Sequence, residues 1–353
     1  MDDRRVTDVV GNGQTGAKSA VLAARLPVAP VSRTARERAT LLAAILGLSV
    51  TILDETVVFV ALPAIERELH LGLNGQQWVV NGYLLTLSAF LLLGGALADA
   101  FGRRRVFLYG LAGFGLASLA CALAPSGESL IAFRLVQGLA AALVMPSTLA
   151  LLTSYFTGPA RGAAIGSWSA WGAVAAAVGP LVGGVLIQAF SWRAIFLLSL
   201  PLVVAAIAVT LWGVSESRDE HADAQRLDYA GAGLAAVALA GLSFALIQGP
   251  TRGFASAGVV AALTLSGVTA LAFVARERSA RTPMLALGLF RVRNFTAANA
   301  ATLALYGVFN GNFFIFVIYL QTALGYSPLA AGAAGVPLTL MMIAFASRFG
   351  ADN

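Results

Sequence analysis

Residues 40–65 read TLLAAILGLSVTILDETVVFVALPAI, an apolar run whose only charged residues are the acidic pair Asp54 and Glu55. A helix of about 20 apolar residues crosses the roughly 30 Å hydrocarbon core of a bilayer, so this run is long enough to span it. Nine comparable runs follow, at 76–98, 106–124, 129–153, 162–189, 192–214, 229–249, 255–275, 296–321 and 329–349. The sequence therefore predicts an all-α polytopic membrane protein with about ten transmembrane helices.

The composition supports this prediction and argues against several other classes of protein. The chain is 58% hydrophobic and 11% charged, whereas a typical soluble domain has about 25% charged residues. One Cys and two His are too few for a disulfide framework or an ordinary Cys/His metal site, and there is no phosphate-binding loop. We therefore expect no metal, no organic cofactor and no enzyme active site.

The positive charges predict the orientation of the chain in the membrane. If the N-terminus is cytoplasmic, 19 of the 23 Lys and Arg residues lie in cytoplasmic segments and only three lie in outer loops. Cytoplasmic loops of membrane proteins carry an excess of Lys and Arg, so both ends of the chain are predicted to be cytoplasmic and the location to be the cell membrane. The same distribution accounts for the net charge of +6 without a nucleic-acid partner.

The apolar runs and the polar segments between them divide the chain into six parts. We expect a disordered cytoplasmic tail at 1–38, a six-helix transmembrane bundle at 39–214, a cytoplasmic linker at 215–228, an inserted helix pair at 229–275, a second cytoplasmic linker at 276–295, and the first two helices of a second bundle at 296–353. The tail lacks the apolar core of a cleavable signal peptide. We expect the second bundle to be incomplete within these residues.

Charged side chains inside the bilayer cost at least about 2.5–3.5 kcal/mol each, so each one indicates a partner or a function. Asp54 lies roughly 21 Å along its helix, past the midplane, where desolvation favours the protonated carboxyl. It is therefore a candidate proton site, with a permanently paired structural carboxylate as the alternative. Glu55, about 100° further round the helix, is a second candidate. Arg134 lies within about 7 Å of the level of Asp54, so it could pair with Asp54 or extend to the outer interface.

The turn between the second and third spans combines glycines, one acid and three arginines. An Asp held against basic residues in a tight turn can lock two helices together, whereas a simple positive loop would explain only the arginines. The residues predicted to form this conformational lock are Gly95, Asp99, Gly102, Arg103 and Arg104.

Small residues mark the fifth span, and amide residues mark the ninth. Small residues at four-residue spacing permit close approach of membrane helices, although generic helix packing would use them in the same way. The residues singled out in the fifth span are Gly179, Pro180 and Gly183. Asn310 and Asn312 lie near the middle of the ninth span, where a polar cavity explains them better than contact with lipid.

Taken together and in this order, the motifs resemble the major facilitator superfamily, and more narrowly its fourteen-span drug–proton antiporter branch. The matching segments are 53–63 in the first span, 95–105 after the second, 134–138 in the fourth, 172–184 in the fifth and 191–196 at the start of the sixth. The helix pair 229–275 corresponds to the two extra central spans of that branch. The sequence departs from the branch at three positions. Phe59 and Ser199 each stand where the branch usually has Asn, and Ala100 stands where it usually has a basic residue.

The resemblance implies a major facilitator fold and a secondary active exporter, which moves protons inward and hydrophobic or cationic drugs outward as two bundles rock about a central site. The implied proton-coupling residues are Asp54, Glu55 and Arg134, and the implied substrate-cavity residues are Gln137, Asn310, Asn312 and Phe313. The proton gradient is the implied energy source, and the partners are a small-molecule substrate, protons and the bilayer. Two alternatives stay open: a truncated fragment without transport activity, because about four spans of the branch are missing, and an uptake permease for a small solute.

Overall fold

The apolar runs form long helices in the computed structural model, which describes residues 35–219, 227–280, 285–337 and 341. The helices are α1 (Ala35–Leu69), α2 (Gly72–Phe101), α3 (Arg103–Ala122), α4 (Gly127–Tyr155), α5 (Gly158–Ala189), α6 (Arg193–Gly213), α7 (Tyr229–Arg252), α8 (Ala257–Ser279), α9 (Arg293–Thr322) and α10 (Pro328–Ala334), with a 3₁₀ helix at Leu287–Arg291. In the described ranges, α1 to α9 are each long and apolar enough to cross a membrane. The predicted all-α polytopic fold is confirmed.

Most helix ends differ from the predicted runs by a few residues, and three of them cross a predicted domain boundary. Helix α1 begins at Ala35, inside the predicted tail 1–38, because an Ala-Arg-Glu-Arg sequence has high helix propensity and continues the helix beyond the apolar run. Helix α8 runs to Ser279 and α9 begins at Arg293, so both extend into the predicted linker 276–295. Residues 1–34 of the predicted tail, and most of the predicted tenth span 329–349, lie outside the described residues.

Helix α1 is the central element of the six-helix bundle that α1 to α6 form, and it contacts α4, α5 and α6 along its length. Helices α2 and α4 pack closely because glycines remove the side chains between them. A Cβ at Gly94 would overlap the carbonyl oxygen of Ala142, and a Cβ at Gly138 would overlap that of Tyr83. These close contacts hold α4 in register against α2.

The small face of α5 packs against α1, as its spacing predicts. A Cβ at Gly179 would overlap the Thr56 hydroxyl, and a Cβ at Gly183 would lie 3.1 Å from Val57 Cβ. On α10, a Cβ at Gly332 would overlap the carbonyl oxygen of Pro180. Helix α5 is therefore packed against α1 on one face and against the start of α10 on another.

The inserted pair α7 and α8 is joined to α2 by polar contacts at one end and closed by its own polar contacts at the other. Asn74 of α2 donates to Gln248 Oε1 at 3.2 Å and to Thr251 Oγ1 at 2.9 Å at the end of α7. At the other end of the pair, Asp228 accepts from the amide of Gly231 at 2.7 Å, and its carboxylate also pairs with Arg276 at 2.7 Å. The pair therefore docks on α2 within the described residues.

Candidate functional site

A buried ion pair joins α1 to α4 in the interior of the bundle. Arg134 Nη1 lies 2.5 Å from Asp54 Oδ2, and both residues are only 1% exposed. The Arg134 Nε also donates to the carbonyl oxygen of Val79 on α2 at 3.0 Å. The structure thus places this guanidinium against the carboxylate rather than at the outer interface.

Gln137, one turn after Arg134 on α4, completes the hydrogen bonding of the pair. Its Nε2 donates to Asp54 Oδ1 at 2.8 Å and to Ser118 Oγ of α3 at 2.7 Å, while its Oε1 accepts from Arg134 Nη1 at 2.6 Å. The sequence placed Gln137 on the wall of the substrate cavity. In this structure the residue is fully buried within the ion-pair cluster, and its place on the cavity wall stays a prediction.

Two aromatic rings from other helices flank the guanidinium. The Cζ of Arg134 lies 4.4 Å from the ring centroid of Tyr83 on α2 and 5.9 Å from that of Phe196 on α6. An aromatic face attracts a cation, and the attraction is strongest where water is excluded. We call Asp54, Arg134 and Gln137, with Ser118 and Tyr83, the buried cluster.

Sequence reasoning missed Ser118 and Tyr83 as members of this cluster. A single serine or tyrosine in an apolar span carries little signal, because serine can satisfy its hydroxyl on its own helix and the ring of tyrosine packs like that of an apolar side chain. Here the Tyr83 hydroxyl donates to the Thr51 carbonyl oxygen at 3.4 Å and so ties α2 to α1 beside the ion pair. A helical-wheel comparison of α2 with α4 is the one signal that could have placed Tyr83 there.

Glu55 is in a different situation from its neighbour Asp54. It is half-buried, and it makes no hydrogen bond or ion pair with the residues that the structure describes. The side chains of consecutive helical residues point about 100° apart, and Glu55 makes no hydrogen bond with Arg134 or Gln137, although it lies close enough to Arg134 for their charges to interact. The two adjacent carboxylates thus divide into one that is ion-paired and hydrogen-bonded and one that is neither.

Aromatic rings connect α9 to α1 one turn beyond Glu55. Phe59 meets Phe313 edge-to-face at a centroid distance of 5.5 Å and Phe314 at 6.5 Å, while Phe309 stacks on Phe313 at 6.2 Å. Gln321 also donates to the Val60 carbonyl oxygen at 3.0 Å. Phe59, which replaces the branch's usual Asn, therefore supplies an apolar contact between the first bundle and α9.

The two asparagines of α9 do not join this contact. Asn310 is half-buried and Asn312 is exposed, and neither forms a hydrogen bond with the described residues. Of the four predicted cavity residues, Phe313 alone touches α1 through an aromatic contact. The described part of the chain therefore does not bring Gln137, Asn310 and Asn312 to one polar surface.

The loop between α2 and α3 is tied together by its own charges. Arg103 donates to Asp99 Oδ1 from Nε at 2.8 Å and from Nη2 at 2.7 Å. Arg104 reaches α6, where it donates to the carbonyl oxygens of Thr210 at 3.3 Å and Leu211 at 3.2 Å. Gly102 has φ +108°, a backbone conformation that favours glycine. A Cβ at Gly95 would lie 3.5 Å from Pro146 Cβ on α4, an ordinary contact distance.

A second charged cluster at the opposite ends of the helices was not predicted. Glu68 at the end of α1 accepts from the indole Nε1 of Trp192 at 2.6 Å and forms an ion pair with Arg193. Arg193 also donates to the carbonyl oxygen of Ala124 at 3.2 Å, between α3 and α4. The acid and its two donors are far apart in sequence, so no local pattern links them.

The fold and the buried cluster define a class: a multi-pass α-helical membrane protein whose first bundle encloses a hydrogen-bonded ion pair. The known proteins that the chain matches then give its family. Residues 44–352 match the sequence model described as Major Facilitator Superfamily. The chain belongs to this superfamily of membrane transporters, as the motifs implied.

Its curated relatives include resistance and export proteins. The Methylenomycin A resistance protein of Bacillus subtilis is 40% identical over 299 residues, covering 84% of this chain and 64% of that protein. The Tetracenomycin C resistance and export protein of Streptomyces glaucescens is 36% identical over 318 residues, covering 88% and 59%. The Multidrug resistance protein Stp of Mycobacterium tuberculosis is 37% identical over 301 residues, covering 85% and 56%. The chain thus spans less than two thirds of the length of each of these relatives.

Solved structures agree on the fold. A peptide transporter POT, crystallised with sulfate, superposes with a TM-score of 0.63 over 89% of this chain and 68% of that one, at 17% sequence identity. At that identity the likeness shows the shared fold alone.

Proposed function

We propose that this protein is a secondary active exporter, which moves drugs or other hydrophobic or cationic small molecules out of the cell in exchange for protons. The observation that carries the proposal is the buried cluster, in which Asp54 is a carboxylate held in a bundle of transmembrane helices. The resistance and export functions of the relatives support the direction of transport.

Proton uptake at Asp54 would have to be linked to a movement of Arg134. Protonation removes the anion, and among the partners described above the buried guanidinium then has only uncharged ones: the carbonyl oxygen of the protonated carboxyl, Gln137 Oε1, the Val79 carbonyl oxygen and the neighbouring rings. An uncompensated buried charge is strongly unfavourable, so a conformation that gives Arg134 another partner or more water is stabilised. This linkage converts binding of a proton into a change of shape.

Substrate recognition is assigned to the side of α1 that carries Glu55. Glu55 supplies a carboxylate without a hydrogen bond or ion pair among the described residues, and the half-buried ring of Phe313, which packs on Phe59 one turn further along α1, supplies apolar surface. Such a surface suits a hydrophobic molecule and, through the carboxylate and the ring faces, a hydrophobic cation. Proton and substrate binding would then be coupled through the adjacent positions 54 and 55.

We also propose that the N-terminus is cytoplasmic and that the membrane is the cell membrane. The excess of Lys and Arg on one side supports this orientation. In the folded chain, Arg103 and Arg104 lie at that predicted cytoplasmic side and Arg193 lies at the other end of the helices.

To test proton coupling, the open reading frame that contains this sequence is expressed in an efflux-deficient host. A proton gradient is established across inverted membrane vesicles from this host, and uptake of a fluorescent cationic dye into the vesicles is followed. We expect Asp54→Asn to abolish proton-driven transport, whereas Glu66→Gln, which removes a carboxylate at the end of the same helix, leaves it intact. Normal proton-driven transport in Asp54→Asn would contradict the assignment.

A further inference from the structure

The first residues after α6 fold back onto the loop between α2 and α3. We call residues 214–219 the linker strap. The amide of Arg103 donates to the Ser217 carbonyl oxygen at 2.8 Å, and the amide of Asp219 donates to the Asp99 carbonyl oxygen at 3.1 Å. Two backbone hydrogen bonds thus fasten the strap to the segment that holds the Asp99–Arg103 pair.

Glu216 of the strap caps the N-terminus of α3. The amide of Arg104 donates to its Oε1 at 3.0 Å, and the amide of Arg105 donates to its Oε2 at 3.2 Å. The first amides of a helix have no partner within the helix, and a carboxylate there also interacts favourably with the helix dipole. The carboxylate of Glu216 therefore takes the place of a local N-cap side chain.

The local sequence leaves this position open for a residue distant in the chain. The N-cap residue is Gly102, which has no side chain to donate or accept a hydrogen bond. A Cβ at Gly102 would lie 2.8 Å from the carboxylate carbon of Glu216, so the glycine also makes room for the cap. Arg105 Nε, at 3.7 Å from Glu216 Oε2, adds only a loose ion pair.

The strap is anchored at its start as well. Arg104, whose amide binds Glu216, also holds the last carbonyl oxygens of α6 with its guanidinium. Val214, the first residue of the strap, is buried. The turn before α3, the end of α6 and the strap therefore form one hydrogen-bonded unit.

We propose that Glu216 is a positioning residue of the transport cycle, which holds the Asp99–Arg103 loop in place by capping α3. The transport part of this inference rests on the proposed function. The strap continues along the chain toward α7, so a displacement of the later helices that pulls on the strap withdraws the cap. When the cap is withdrawn, two amides of α3 lose their acceptor, and the backbone hydrogen bond from Asp219 to Asp99 breaks at the same time.

Hydrogen exchange tests the cap without any need for transport. The chain is purified in lipid nanodiscs, and exchange of the Arg104 and Arg105 amides is followed by mass spectrometry of peptides that cover them. We expect Glu216→Ala to speed their exchange roughly tenfold, which corresponds to about 1.4 kcal/mol, within the range for loss of an N-cap. Glu216→Gln, which keeps one acceptor oxygen, should give an intermediate rate and also serves if the alanine variant does not fold.

The matched control is Glu66→Ala, which removes a carboxylate that makes no side-chain hydrogen bond with the described residues. Its Arg104 and Arg105 amides should exchange at the rate of the unmodified chain. Unchanged exchange in both Glu216 variants, or an equal increase in the control, would overturn the assignment of the cap.

Transport kinetics test the positioning role. The vesicles come from a host that expresses the open reading frame containing this sequence. In them we expect Glu216→Ala to lower the maximal transport rate severalfold while KM for the dye stays the same. Glu216→Gln should restore part of the maximal rate. If Glu216 bound substrate, its replacement would raise KM instead. If the cap had no role in the transport cycle, its replacement would change hydrogen exchange but not the transport rate. Either result would overturn the positioning role, and it would do so only if the unmodified protein transports the dye.

Discussion

Replacement of Asp54 by asparagine should destabilise the protein far more than the same change at the adjacent Glu55. Asparagine keeps the shape of the side chain and one acceptor oxygen, but it removes the charge that faces Arg134 at 2.5 Å. Removal of one partner from a buried ion pair costs about 3–5 kcal/mol, because the other charge stays buried without compensation. The two hydrogen bonds that Asp54 accepts support a loss of this size, since each bond to a charged group contributes about 1.5–3 kcal/mol.

The assay is thermal unfolding of the purified chain in detergent, at one heating rate for all variants so that their apparent midpoints are comparable. With an unfolding entropy of about 2.1 cal/mol/K per residue, a loss of 3–5 kcal/mol in roughly 300 ordered residues lowers the apparent midpoint by about 5–8 °C. The control is Glu55→Gln, which removes an equal charge from the next residue but breaks no ion pair. Its midpoint should fall by less than about 1.5 °C, the equivalent of 1 kcal/mol on the same scale.

A double variant separates loss of the pair from loss of packing. In Asp54→Asn with Arg134→Met, no charge stays buried, and neutral replacement of a buried ion pair is often tolerated. We therefore expect the double variant to recover most of the stability that Asp54→Asn loses. Equal midpoints for the variants at positions 54 and 55, or a double variant less stable than both single ones, would refute the reasoning.

Three further outcomes are expected from other parts of the fold. Asp99→Asn should lower the transport rate much more than it changes equilibrium dye binding; a large fall in binding at an unchanged rate would contradict a lock at this loop. Gly138→Ala should reduce the yield of folded protein, because its Cβ overlaps a backbone carbonyl of α2, whereas Gly166→Ala, with nothing within 4 Å, should express normally. Glu68→Gln should lower the melting midpoint by no more than about 1–2 °C, because exposed ion pairs contribute about 0.2–1 kcal/mol, and a much larger drop would show a greater structural role.

The helices and the two charges of the buried pair could be predicted because both are unusual in sequence. Long apolar runs have one explanation in a chain with so few charges, and a charge within such a run requires a partner. The residues that surround the pair could not be predicted in the same way. Ser118 and Tyr83 are ordinary in an apolar helix, and only the packing of α2, α3 and α4 brings them to Arg134.

Gln137 shows a related difficulty. An amide inside a span indicates a polar environment, but the sequence does not distinguish a water-filled cavity from a buried network. In the structure Gln137 belongs to a buried network, where its Nε2 donates to the Asp54 oxygen that Arg134 leaves free. Asn310 and Asn312, by contrast, make no hydrogen bond with the described residues.

Glu216 lay in a segment that sequence reasoning treated only as a linker. Polar linkers show no periodicity, and a cap supplied from more than a hundred residues away leaves no local pattern. The one sign of this cap in the sequence is that the local N-cap residue of α3, Gly102, has no side chain that could cap the helix. A helix that begins at a glycine in a polar turn is thus a reason to look for a distant acid.

The buried cluster and the linker strap are built on the same helices. Helix α2 carries Tyr83 in the cluster and Asp99 in the loop, and α3 carries Ser118 in the cluster and the amides that Glu216 caps. Helix α6 contributes the ring of Phe196 beside Arg134 and the carbonyl oxygens that bind Arg104. Because these helices are continuous between the two positions, the movement of Arg134 that we propose upon proton uptake would tilt elements that also form the capped turn. If the two sites are coupled, Asp54→Asn should therefore also change the exchange of the Arg104 and Arg105 amides, and unchanged exchange would show that the shared helices do not connect them.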